Sequence, residues 1–450
     1  MKYSQFNSVI SYQNNFLLYN SFTNSYLVIQ PFLKDLLEAS RYHNEIDDLA
    51  NVHPLFYNDL IKNGFFVENS EDEVQKVRSK VEVIDNTDQE YTLTINPTMN
   101  CNFKCWYCYE THIKKSNMEE ANVAKTKALI SNILSAENLK LFKLQFFGGE
   151  PLLNYQDAVK PILSYCLEKA KEKDINLLVS ITTNGYLINE SMLPLFHAVG
   201  PNNIIFQITL DGSEDDHDSV RFVSKTKGSY KEILDRIRLL LKSGLLVRAR
   251  INYTIKNIQK CVNIIEDFKA LTHEEKSRLI FSFHRVWQDS QAKDYANVIE
   301  PTIKYFKNQG FNVKTEYSLD SVNNSCYGDK LNSAVVNFNG DVYKCTARDF
   351  TSDSKNGVLS DNGSIDWNQE MLINRMNVKF KNKPCLSCKI LPICNGGCSQ
   401  HAYENLNGPG YCVYNFDENK KDRLIISRFE EILHDHNIPY DLNGLIENFD

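Results

Sequence analysis

The cysteines of this chain are unevenly distributed, and their placement constrains the architecture more than any other sequence feature. Three of the 12 cysteines lie within one short segment, at Cys101, Cys105 and Cys108, and seven more lie beyond residue 325. Cys166 and Cys261 stand alone in stretches with helical spacing, which indicates small buried core residues. A cytoplasmic protein does not use so many thiols as disulfides, because that compartment is reducing. The clustered cysteines therefore predict metal binding.

The overall composition is that of an ordinary soluble globular protein. Hydrophobic residues make up 42% and charged residues 24% of the 450 residues, which excludes a disordered or fibrous chain. The formal net charge of −7 gives no electrostatic reason to expect a nucleic-acid partner. No uncharged apolar run approaches the roughly 18 residues that a membrane helix needs, and the first residues lack the apolar core of a signal peptide. We therefore expect a cytoplasmic protein with no membrane or nucleic-acid partner.

Residues 1–68 have the pattern of a small separate module. Strand-like runs at 16–19 and 26–29 are joined through Asn, Ser and Thr, which predicts a hairpin. Three short stretches with helical spacing follow, and the run Phe65-Phe66-Val67 has the composition of a closing strand. A strand pair, three helices and a wing indicate a winged-helix-like fold. Residues 69–89 are rich in charged and amide side chains, so we expect a solvated linker there, in part helical.

Strands and helices alternate in the predicted core domain, residues 90–300. Six strands with helical crossovers predict an α/β fold with a parallel sheet, open or closed as a partial barrel. Such sheets bind ligands at the carboxyl ends of their strands. The strand candidates are Tyr91–Asn96, Leu141–Phe146, Leu177–Thr182, Ile204–Leu210, Arg248–Tyr253 and Leu279–His284. The amphipathic stretches between them lie at about 119–135, 156–172, 191–198, 229–244 and 257–270.

Beyond about residue 315 the alternation stops, and a third domain is predicted at 315–450. Strand-like runs at 333–338 and 341–344 flank Asn339-Gly340, which is a good two-residue hairpin turn. A cysteine-rich region of loops follows. A final helix is expected over roughly 417–435.

The first three cysteines have the spacing C-x3-C-x2-C on one tight loop after the first core strand. Three thiolates this close hold three corners of an iron–sulfur cubane and leave the fourth iron open to a substrate or cofactor. Two alternatives remain at this point. The alternatives to the cubane are a zinc site completed by His112 and a chance cluster.

This triplet resembles the signature of the radical S-adenosylmethionine (SAM) enzymes, C-x3-C-x-aromatic-C, with Tyr107 at the aromatic position. The resemblance implies a partial (β/α)6 barrel in which Cys101, Cys105 and Cys108 bind a catalytic 4Fe–4S cluster. SAM chelates the open iron of that cluster and is split into methionine and a 5′-deoxyadenosyl radical, which takes a hydrogen from the substrate. Tyr107 would pack near the adenine.

A glycine-rich segment, Gly148-Gly149-Glu150-Pro151, follows the second core strand. Two glycines let backbone approach a ligand closely, and Glu150 is an anionic acceptor suited to an ammonium group. The segment resembles the family motif that holds the amino group of SAM, whereas alone it would be a plain turn. Weaker matches to the family follow later strands. There, a turn, a helix cap or an ordinary polar position explains the residues equally well. By resemblance these positions line the SAM pocket or the substrate cavity: Thr183, Asn184, Asp211, Arg221 and Asn252.

The later cysteines resemble the seven-cysteine SPASM domain, which extends many peptide-modifying radical SAM enzymes. By that resemblance, the distal auxiliary 4Fe–4S cluster is held by Cys385, Cys388, Cys394 and Cys412. The nearer auxiliary cluster is held by Cys326, Cys345 and Cys398. No cysteine lies between Cys261 and Cys326, so the nearer cluster is expected to have an open or non-cysteine-ligated iron. Zinc knuckles are the alternative for these C-x2-C pairs.

Residues 1–68 resemble, in element order alone, the recognition element that captures leader peptides by strand addition. The alternative is a helical lid or an oligomerisation module. The whole pattern predicts a radical SAM/SPASM peptide maturase with three 4Fe–4S clusters and SAM, which makes a cross-link, thioether or epimer in a ribosomal precursor peptide. Its partners would be that peptide, through its leader, and a flavodoxin- or ferredoxin-type reductant.

Two other functions stay open. The first is an anaerobic sulfatase-maturating enzyme, although those enzymes typically carry an acidic residue directly after the second SPASM cysteine, where this chain has Thr346. They also lack a peptide-binding N-terminal module. The second, of another class, is a non-catalytic iron–sulfur or zinc protein that binds peptide.

Overall fold

A computed structural model describes residues 1–43, 45–224, 226–289, 296–314, 325–405, 408 and 410–435. These residues belong to two compact units. The first unit takes its described residues from Met1–Asn86, Tyr317–Lys330 and Ile373–Asp450, and the second from Thr87–Glu316 and Leu331–Leu372. The C-terminal domain expected at 315–450 is therefore divided between the two units. Its expected start, at 315–324, lies outside the described residues.

Six parallel strands form the centre of the second unit, and they pair in chain order. We refer to them as the first to sixth core strands. They are Glu90–Asn96, Leu141–Phe146, Asn176–Thr183, Ile204–Leu210, Leu246–Tyr253 and Leu279–Arg285. Each agrees with its predicted range to within two residues at either end. The predicted parallel α/β sheet of the partial-barrel type is confirmed.

Further strands extend this sheet at both edges. Asn312–Lys314 pairs in parallel with the sixth core strand, and Ser333–Asn337 pairs in parallel with the first. From Ser333–Asn337 the sheet continues through antiparallel strands at Asp341–Tyr343, Gly357–Leu359 and Ile365–Trp367. The turn between Ser333–Asn337 and Asp341–Tyr343 contains Gly340 with a φ of 86°, as the Asn-Gly pair predicts.

Helices connect the core strands and cover one face of the sheet. In the second core strand Phe142, Leu144 and Phe146 are fully buried, whereas Lys143 and Gln145 alternate with them on the other face. Cys166 and Cys261 are also fully buried, as expected for small core residues. The connecting helices include Glu120–Leu134, Lys160–Glu172, Leu193–Val199, Glu214–Val220, Tyr230–Lys242, His273–Ser277 and Ala296–Asn308. The stretch expected as a helix at 257–270 is a 3₁₀ helix, Ile258–Phe268.

The N-terminal part of the first unit contains a three-stranded antiparallel sheet, Asn7–Tyr12, Asn15–Asn20 and Ser25–Ile29. The second and third of these strands form the predicted hairpin, whereas the first was not predicted, because Asn and Ser interrupt its apolar residues. The closing strand, Phe66–Val67, pairs with Lys2–Tyr3. The three helices between them are Pro31–Tyr42, Leu49–Val52 and Pro54–Lys62.

The segment expected to be a solvated linker contains the helix Glu73–Asp85. The Asp72 side chain caps it by accepting a hydrogen bond from the Gln75 N–H at 2.9 Å. Val77 and Val81, one helical turn apart, are buried against Phe6 and Leu391. The many polar residues of the segment therefore belong to the solvent-facing side of this helix, whereas Val77 and Val81 pack its other side against the protein.

The N-terminal sheet shares a hydrophobic core with the end of the described chain. Leu17 and Tyr19 pack with Leu424 and Ile425 of the last helix, Glu418–Asp435. The ring of Tyr12 also contacts that of Phe429 on the same helix, with centroids 5.4 Å apart. The short helices Gln369–Met376, Lys383–Leu386, Leu391–Cys394 and Ser399–Glu404 precede that helix. In the described part of the chain, no helix has the length and apolarity that a membrane span requires.

Candidate functional site

A cavity of about 450 Å³ runs from the carboxyl ends of the core strands into the interior of the partial barrel. Its size lies within the usual range for a small-molecule site. Most of the residues predicted to bind a cofactor line this one cavity. They are Cys101, Cys105, Tyr107, Cys108, Gly148, Gly149, Thr183, Asn184, Arg221 and Asn252.

The three cysteines of the first cluster lie on one loop at the mouth of this cavity. The N–H of Cys108 donates a hydrogen bond to the carbonyl of Cys105 at 3.1 Å, which closes a tight turn. Burial raises the pKa of the Cys101 thiol to about 12 and that of Cys108 to about 11. Cys105 lies close enough to both to raise their pKa values further through its charge. Three crowded, desolvated thiols favour a positively charged metal group, since a metal deprotonates the thiols that coordinate it.

The donor set fits an iron–sulfur cubane, because each thiolate of such a cluster binds a different iron and the sulfurs need not meet at one point. Nε2 of His112 lies 3.5 Å from Sγ of Cys108. Among the described residues, no group of three or more His, Cys, Asp or Glu side chains is arranged around a single metal-ion position.

The two glycines after the second core strand are required by the close approach of the cysteine loop. A Cβ atom on Gly149 would lie 2.3 Å from the carbonyl oxygen of Asn100, and one on Gly148 would lie 2.6 Å from that of Thr98. Gly148 also has a φ of 104°, a backbone conformation that residues with a side chain rarely adopt. The Gly149 N–H donates to the same Thr98 carbonyl at 3.1 Å. The glycines therefore fix the position of the cysteine loop and keep backbone at the cavity wall.

Glu150 has a different position from the one expected of an ammonium acceptor. It is fully buried, and neither Glu150 nor Pro151 is among the described residues that line the cavity. Its carboxylate accepts hydrogen bonds from the Leu152 N–H, the Thr183 hydroxyl and the Asn184 N–H, at 2.7 to 3.0 Å. The carboxylate thus joins the loops after the second and third core strands, and donors within the protein occupy both of its oxygens.

Tyr107 is the centre of a polar network that unites four of the predicted residues. Its hydroxyl donates to the Asp211 carboxylate and accepts hydrogen bonds from Arg221 at 2.9 Å and from Asn252 at 3.1 Å. Nε of Arg221 is 2.6 Å from Asp211. Burial opposes the charge on Arg221, but Tyr107 and Asp211 hold its pKa well above the ordinary value. Residues from three separate loops and strands are therefore held in one fixed arrangement beside Cys105.

His217 contacts this network through the backbone of Asp211. Its Nδ1 accepts a hydrogen bond from the Asp211 N–H at 3.3 Å, and its Nε2 is 3.1 Å from the Ser229 hydroxyl. Burial lowers the pKa of His217 to about 3, so the imidazole is neutral at physiological pH. A neutral ring beside Arg221 adds no positive charge to the site.

Several cavity residues were not singled out in the sequence. Arg248 and Arg250 project from the fifth core strand, opposite Gln207 and Thr209 of the fourth. Arg285 follows at the end of the sixth strand. Arg248 and Arg250 could have been found from the alternation of polar and apolar residues in Arg248-Ala249-Arg250-Ile251-Asn252, which is typical of a strand with one polar face.

The cysteine loop also contributes aromatic and acidic groups that the sequence pattern did not identify. The ring of Tyr109 stacks on that of Trp287 with centroids 5.9 Å apart, and both side chains are exposed at the cavity rim. Glu110 is buried in the lining, and burial together with the charge of Asp349 raises its pKa to about 8. No motif marked these residues, because they follow the last cysteine of the signature at positions without fixed spacing.

The distal set of C-terminal cysteines lies together in the first unit. Cys385, Cys388, Cys394 and Cys412 line one small, apolar cavity of about 30 Å³. Burial raises the pKa of the Cys394 thiol to about 12, and the charges of the other three thiols raise it further. The four residues assigned to the distal cluster by resemblance therefore share one site.

Two of the three cysteines assigned to the nearer cluster also share a cavity. Cys326 and Cys398 line a space of about 360 Å³ together with Asp329. The Asp329 carboxylate accepts a hydrogen bond from the Ser399 hydroxyl and pairs with Lys379 at 3.1 Å. Cys345 belongs to the second unit, where its Sγ accepts a hydrogen bond from the Ala347 N–H at 3.2 Å.

Residues 95–265 match the family model of the radical SAM superfamily. A cysteine-type anaerobic sulfatase-maturating enzyme of Clostridium novyi (strain NT) is 26% identical over 354 residues, which cover 70% of this chain and 89% of that protein. The radical SAM cyclopropyl synthase TigE of Paramaledivibacter caminithermalis is 23% identical over 418 residues, which cover 83% of this chain and 81% of that protein.

Two solved structures resemble the fold. The structure of anSMEcpe with bound AdoMet has a TM-score of 0.54 and 20% identity, and the match covers 69% of this chain and 89% of that one. The structure of Streptococcus suis SuiB has a TM-score of 0.51 and 16% identity over 91% of this chain and 97% of that one. At these identities the likeness concerns the fold alone.

Proposed function

Residues 95–265 are a radical SAM domain, and on this premise we propose that the chain is a peptide maturase that removes a hydrogen atom from a ribosomally synthesised precursor peptide. The observation that carries the proposal is the single cavity in which the cysteine triplet meets a polar, arginine-rich barrel interior. The cavity offers one end to a cluster and cofactor and the other to a substrate side chain.

Cys101, Cys105 and Cys108 would hold a 4Fe–4S cluster, and the walls at Gly148, Gly149, Thr183 and Asn184 would hold SAM. When bound, these groups supply a 5′-deoxyadenosyl radical for hydrogen abstraction. The role of the protein is to orient the reactants and to exclude water. The Tyr107 network supports this role, because buried hydrogen bonds fix four side chains beside the cysteine loop.

Relatives and structural neighbours support a peptide substrate. SuiB has been solved bound to the precursor peptide SuiA, and anSMEcpe with bound AdoMet and a peptide, Cp18Cys. The N-terminal sheet of this chain has two edge strands, Asn7–Tyr12 and Ser25–Ile29. An extended leader peptide would bind by adding a strand to one of these edges. We assign the module at residues 1–68 to leader capture.

The C-terminal cysteines would hold two auxiliary 4Fe–4S clusters, as in a SPASM domain. Four thiols around one small cavity suit a fully cysteine-ligated distal cluster. Clusters bound there would supply an electron acceptor for the substrate radical, which would favour a net oxidation, such as a cross-link or thioether, over an epimerisation. The external electrons for SAM cleavage would come from a flavodoxin- or ferredoxin-type reductant.

A sulfatase-maturating activity is the second candidate, favoured by the identity to the Clostridium novyi enzyme. Two observations oppose it. Thr346, not an acid, follows Cys345 and lines the cavity. The next acid, Asp349, accepts hydrogen bonds from the N–H and the hydroxyl of Thr111, so it is held by the cysteine loop.

The radical SAM assignment is tested by anaerobic reconstitution followed by SAM cleavage with a chemical reductant. The wild-type chain is expected to form 5′-deoxyadenosine, and Cys105→Ala is expected to form none while keeping its fold by circular dichroism. Cys166→Ala is the matched control, because Cys166 is buried in the core away from the cavity. Undiminished deoxyadenosine from Cys105→Ala refutes the assignment, and a colourless protein with stoichiometric zinc favours a non-catalytic zinc protein.

The peptide substrate is tested by co-expression with a short open reading frame that neighbours the gene. A loss of hydrogen from the product mass indicates a cross-link or thioether, and an unchanged mass with altered chromatography indicates an epimer. Conversion of a sulfatase-derived cysteine peptide to formylglycine, without conversion of the neighbouring peptide, supports the second candidate instead.

A further inference from the structure

The interior of the partial barrel carries more cationic than anionic side chains. The guanidinium groups that line it belong to Arg221, Arg248, Arg250 and Arg285. Among the described lining residues Glu110 supplies the carboxyl group, and Asp211 beside the cavity pairs with Arg221. A cavity of this composition attracts negative charge from whatever it binds.

Arg248 is the cation whose surroundings leave its charge unbalanced. Its Nε is buried and has no hydrogen-bond partner among the described residues. Burial lowers the pKa of its guanidinium, and no acid among the described residues offsets the effect. Arg248 as a whole is half-buried, and because a partly desolvated charge is costly unless it is paired, an anion from outside the chain would stabilise it.

The row of side chains around Arg248 is polar and rich in hydrogen-bond donors. Gln207 is the register partner of Arg248 on the fourth core strand, and both line the cavity. Thr182 of the third core strand is in turn the register partner of Gln207 and also lines the cavity. An anion beside Arg248 would accept hydrogen bonds from the Gln207 amide and the Thr182 hydroxyl, which an aliphatic ligand cannot do.

The carboxylate of the cofactor is a competing anion, and Arg221 is a second cation in the same cavity. Arg221 lies near the cysteine triplet, since its charge lowers the pKa values of Cys101, Cys105 and Cys108. Arg248 is not among the groups that shift these thiols. Arg221 is therefore the cation beside the triplet, and the SAM affinity of an Arg248 variant tests whether Arg248 binds the cofactor as well.

We propose that Arg248, with Gln207 beside it, binds a carboxylate group of the substrate peptide inside the barrel. The proposal deepens the peptide-maturase function and rests on it. A guanidinium group and a carboxylate form two parallel hydrogen bonds, which fix direction as well as distance. The peptide would thereby present a neighbouring hydrogen atom at a set distance from the cysteine end of the cavity. The carboxylate belongs either to an Asp or Glu side chain or to the C-terminus of the peptide.

The test measures binding of small carboxylates to the reconstituted, SAM-loaded chain by isothermal titration calorimetry under anaerobic conditions. N-acetyl-aspartate N-methylamide represents an acidic side chain, and N-acetylglycine represents a C-terminus. Their amide counterparts, N-acetyl-asparagine N-methylamide and N-acetylglycinamide, are the matched probes. We expect one carboxylate probe to bind at least about tenfold more tightly than its amide, the ratio expected of a charge-assisted hydrogen bond.

Arg248→Gln is expected to abolish the preference for the carboxylate probe over its amide. Arg248→Lys is expected to retain part of that preference, because lysine keeps the positive charge but lacks the two parallel N–H donors of the guanidinium group. Arg238→Gln removes a charge from the helix Tyr230–Lys242, outside the cavity lining, and is expected to bind like the wild type. Retention of the Arg248→Lys preference also shows that the cavity is folded in an Arg248 variant.

Two results overturn the proposal. Equal binding of carboxylate and amide probes by the wild type, including no binding of either, removes the carboxylate site. A fall in SAM affinity in Arg248→Gln that matches the fall in probe affinity assigns Arg248 to the cofactor. Failure of the maturase function is recognised separately, because it appears as absent deoxyadenosine formation by the wild-type chain without any probe.

Discussion

The cysteine triplet of the second unit and the four distal cysteines of the first unit differ in the space around their thiols. The triplet borders a polar cavity of about 450 Å³, whereas the distal cysteines enclose an apolar one of about 30 Å³. A cofactor and a substrate side chain fit only in the first. The same ligand chemistry therefore serves two purposes: an open site is suited to reaction, and a closed one to storing or passing an electron.

Removal of one cysteine from each site is expected to give the largest difference in SAM cleavage between the two sites. Cys394→Ala should lose about four of about twelve irons and still cleave SAM without peptide, because its site has no room for the cofactor. Cys105→Ala should lose a similar amount of iron and all cleavage. Iron content and deoxyadenosine yield are measured on anaerobically reconstituted proteins. If both variants lose cleavage equally, the proposed separation of roles is wrong.

Substitution of one glycine by alanine in each site tests how closely the backbone packs there. Gly149→Ala should lower deoxyadenosine formation by about 100-fold, because its Cβ meets the Asn100 carbonyl and displaces the cysteine loop. In the distal site the Cβ of Gly397→Ala meets the Val413 side chain at 2.9 Å, which can move. That control should destabilise the chain by about 1 kcal/mol, from its φ of 76°, and leave cleavage intact. Similar activity of the two variants would contradict the close-approach argument.

Much of the second unit was predictable from the sequence, and the reasons lie in particular residues. Strands such as Leu141–Phe146 alternate apolar and polar residues, and parallel crossovers bring their ends to one edge. The cysteine spacing and the two glycines follow from local chemistry. The composition of the first unit from Met1–Asn86 and the C-terminal segment was not predictable, because no local pattern reports that Leu17 packs on Leu424.

The barrel interior was only partly predictable for a related reason. Arg248 lies within the fifth core strand and Glu150 follows the second, and both are charged, yet Arg248 lines the cavity whereas Glu150 accepts hydrogen bonds from the loops after the strands. Which side a polar group takes depends on the partners that folding brings to it. For Glu150 these are Thr183 and Asn184, more than 30 positions away in the sequence.

The shared core of the first unit predicts that its stability is separable from that of the second. Leu424→Ala should destabilise the first unit by about 2–5 kcal/mol, because Leu424, on the last helix, is fully buried in the core shared with the N-terminal sheet. All three tryptophans, at 106, 287 and 367, lie in the second unit. Urea unfolding followed by circular dichroism should show an earlier transition, while tryptophan fluorescence should shift little.

Leu144→Ala, in the core of the second unit, is the matched control and should move the fluorescence transition instead. Equal shifts of both signals in both variants would mean that the units unfold as one. Truncation of residues 1–68 is a poor test of leader capture for the same reason, since it would expose Leu424 and Ile425 to solvent.

The smallest expected effect concerns the charge beside the distal thiols. Lys421 lines the small cavity; burial opposes its charge, but Glu418 and the neighbouring Cys388 raise its pKa above the ordinary value. A cation beside a thiolate stabilises the reduced, more negative cluster, so Lys421→Met should lower the reduction potential of the distal cluster. We expect a change of about 60 mV, one tenfold step for a one-electron couple, in a potentiometric titration followed by electron paramagnetic resonance.

Lys420→Met is the control for the loss of a positive charge, because Lys420 is the adjacent residue and is not among the described residues that line the cavity. Its potential should stay within the error of the wild type, and neither variant should change the cluster at Cys101, Cys105 and Cys108. A shift of the catalytic cluster in Lys421→Met, or equal shifts of the distal cluster in both variants, would show that long-range charge, and not contact with Cys388, sets the potential. The reduction potential of the distal cluster would then depend on charge across the protein, and not on the Lys421 side chain in the small cavity.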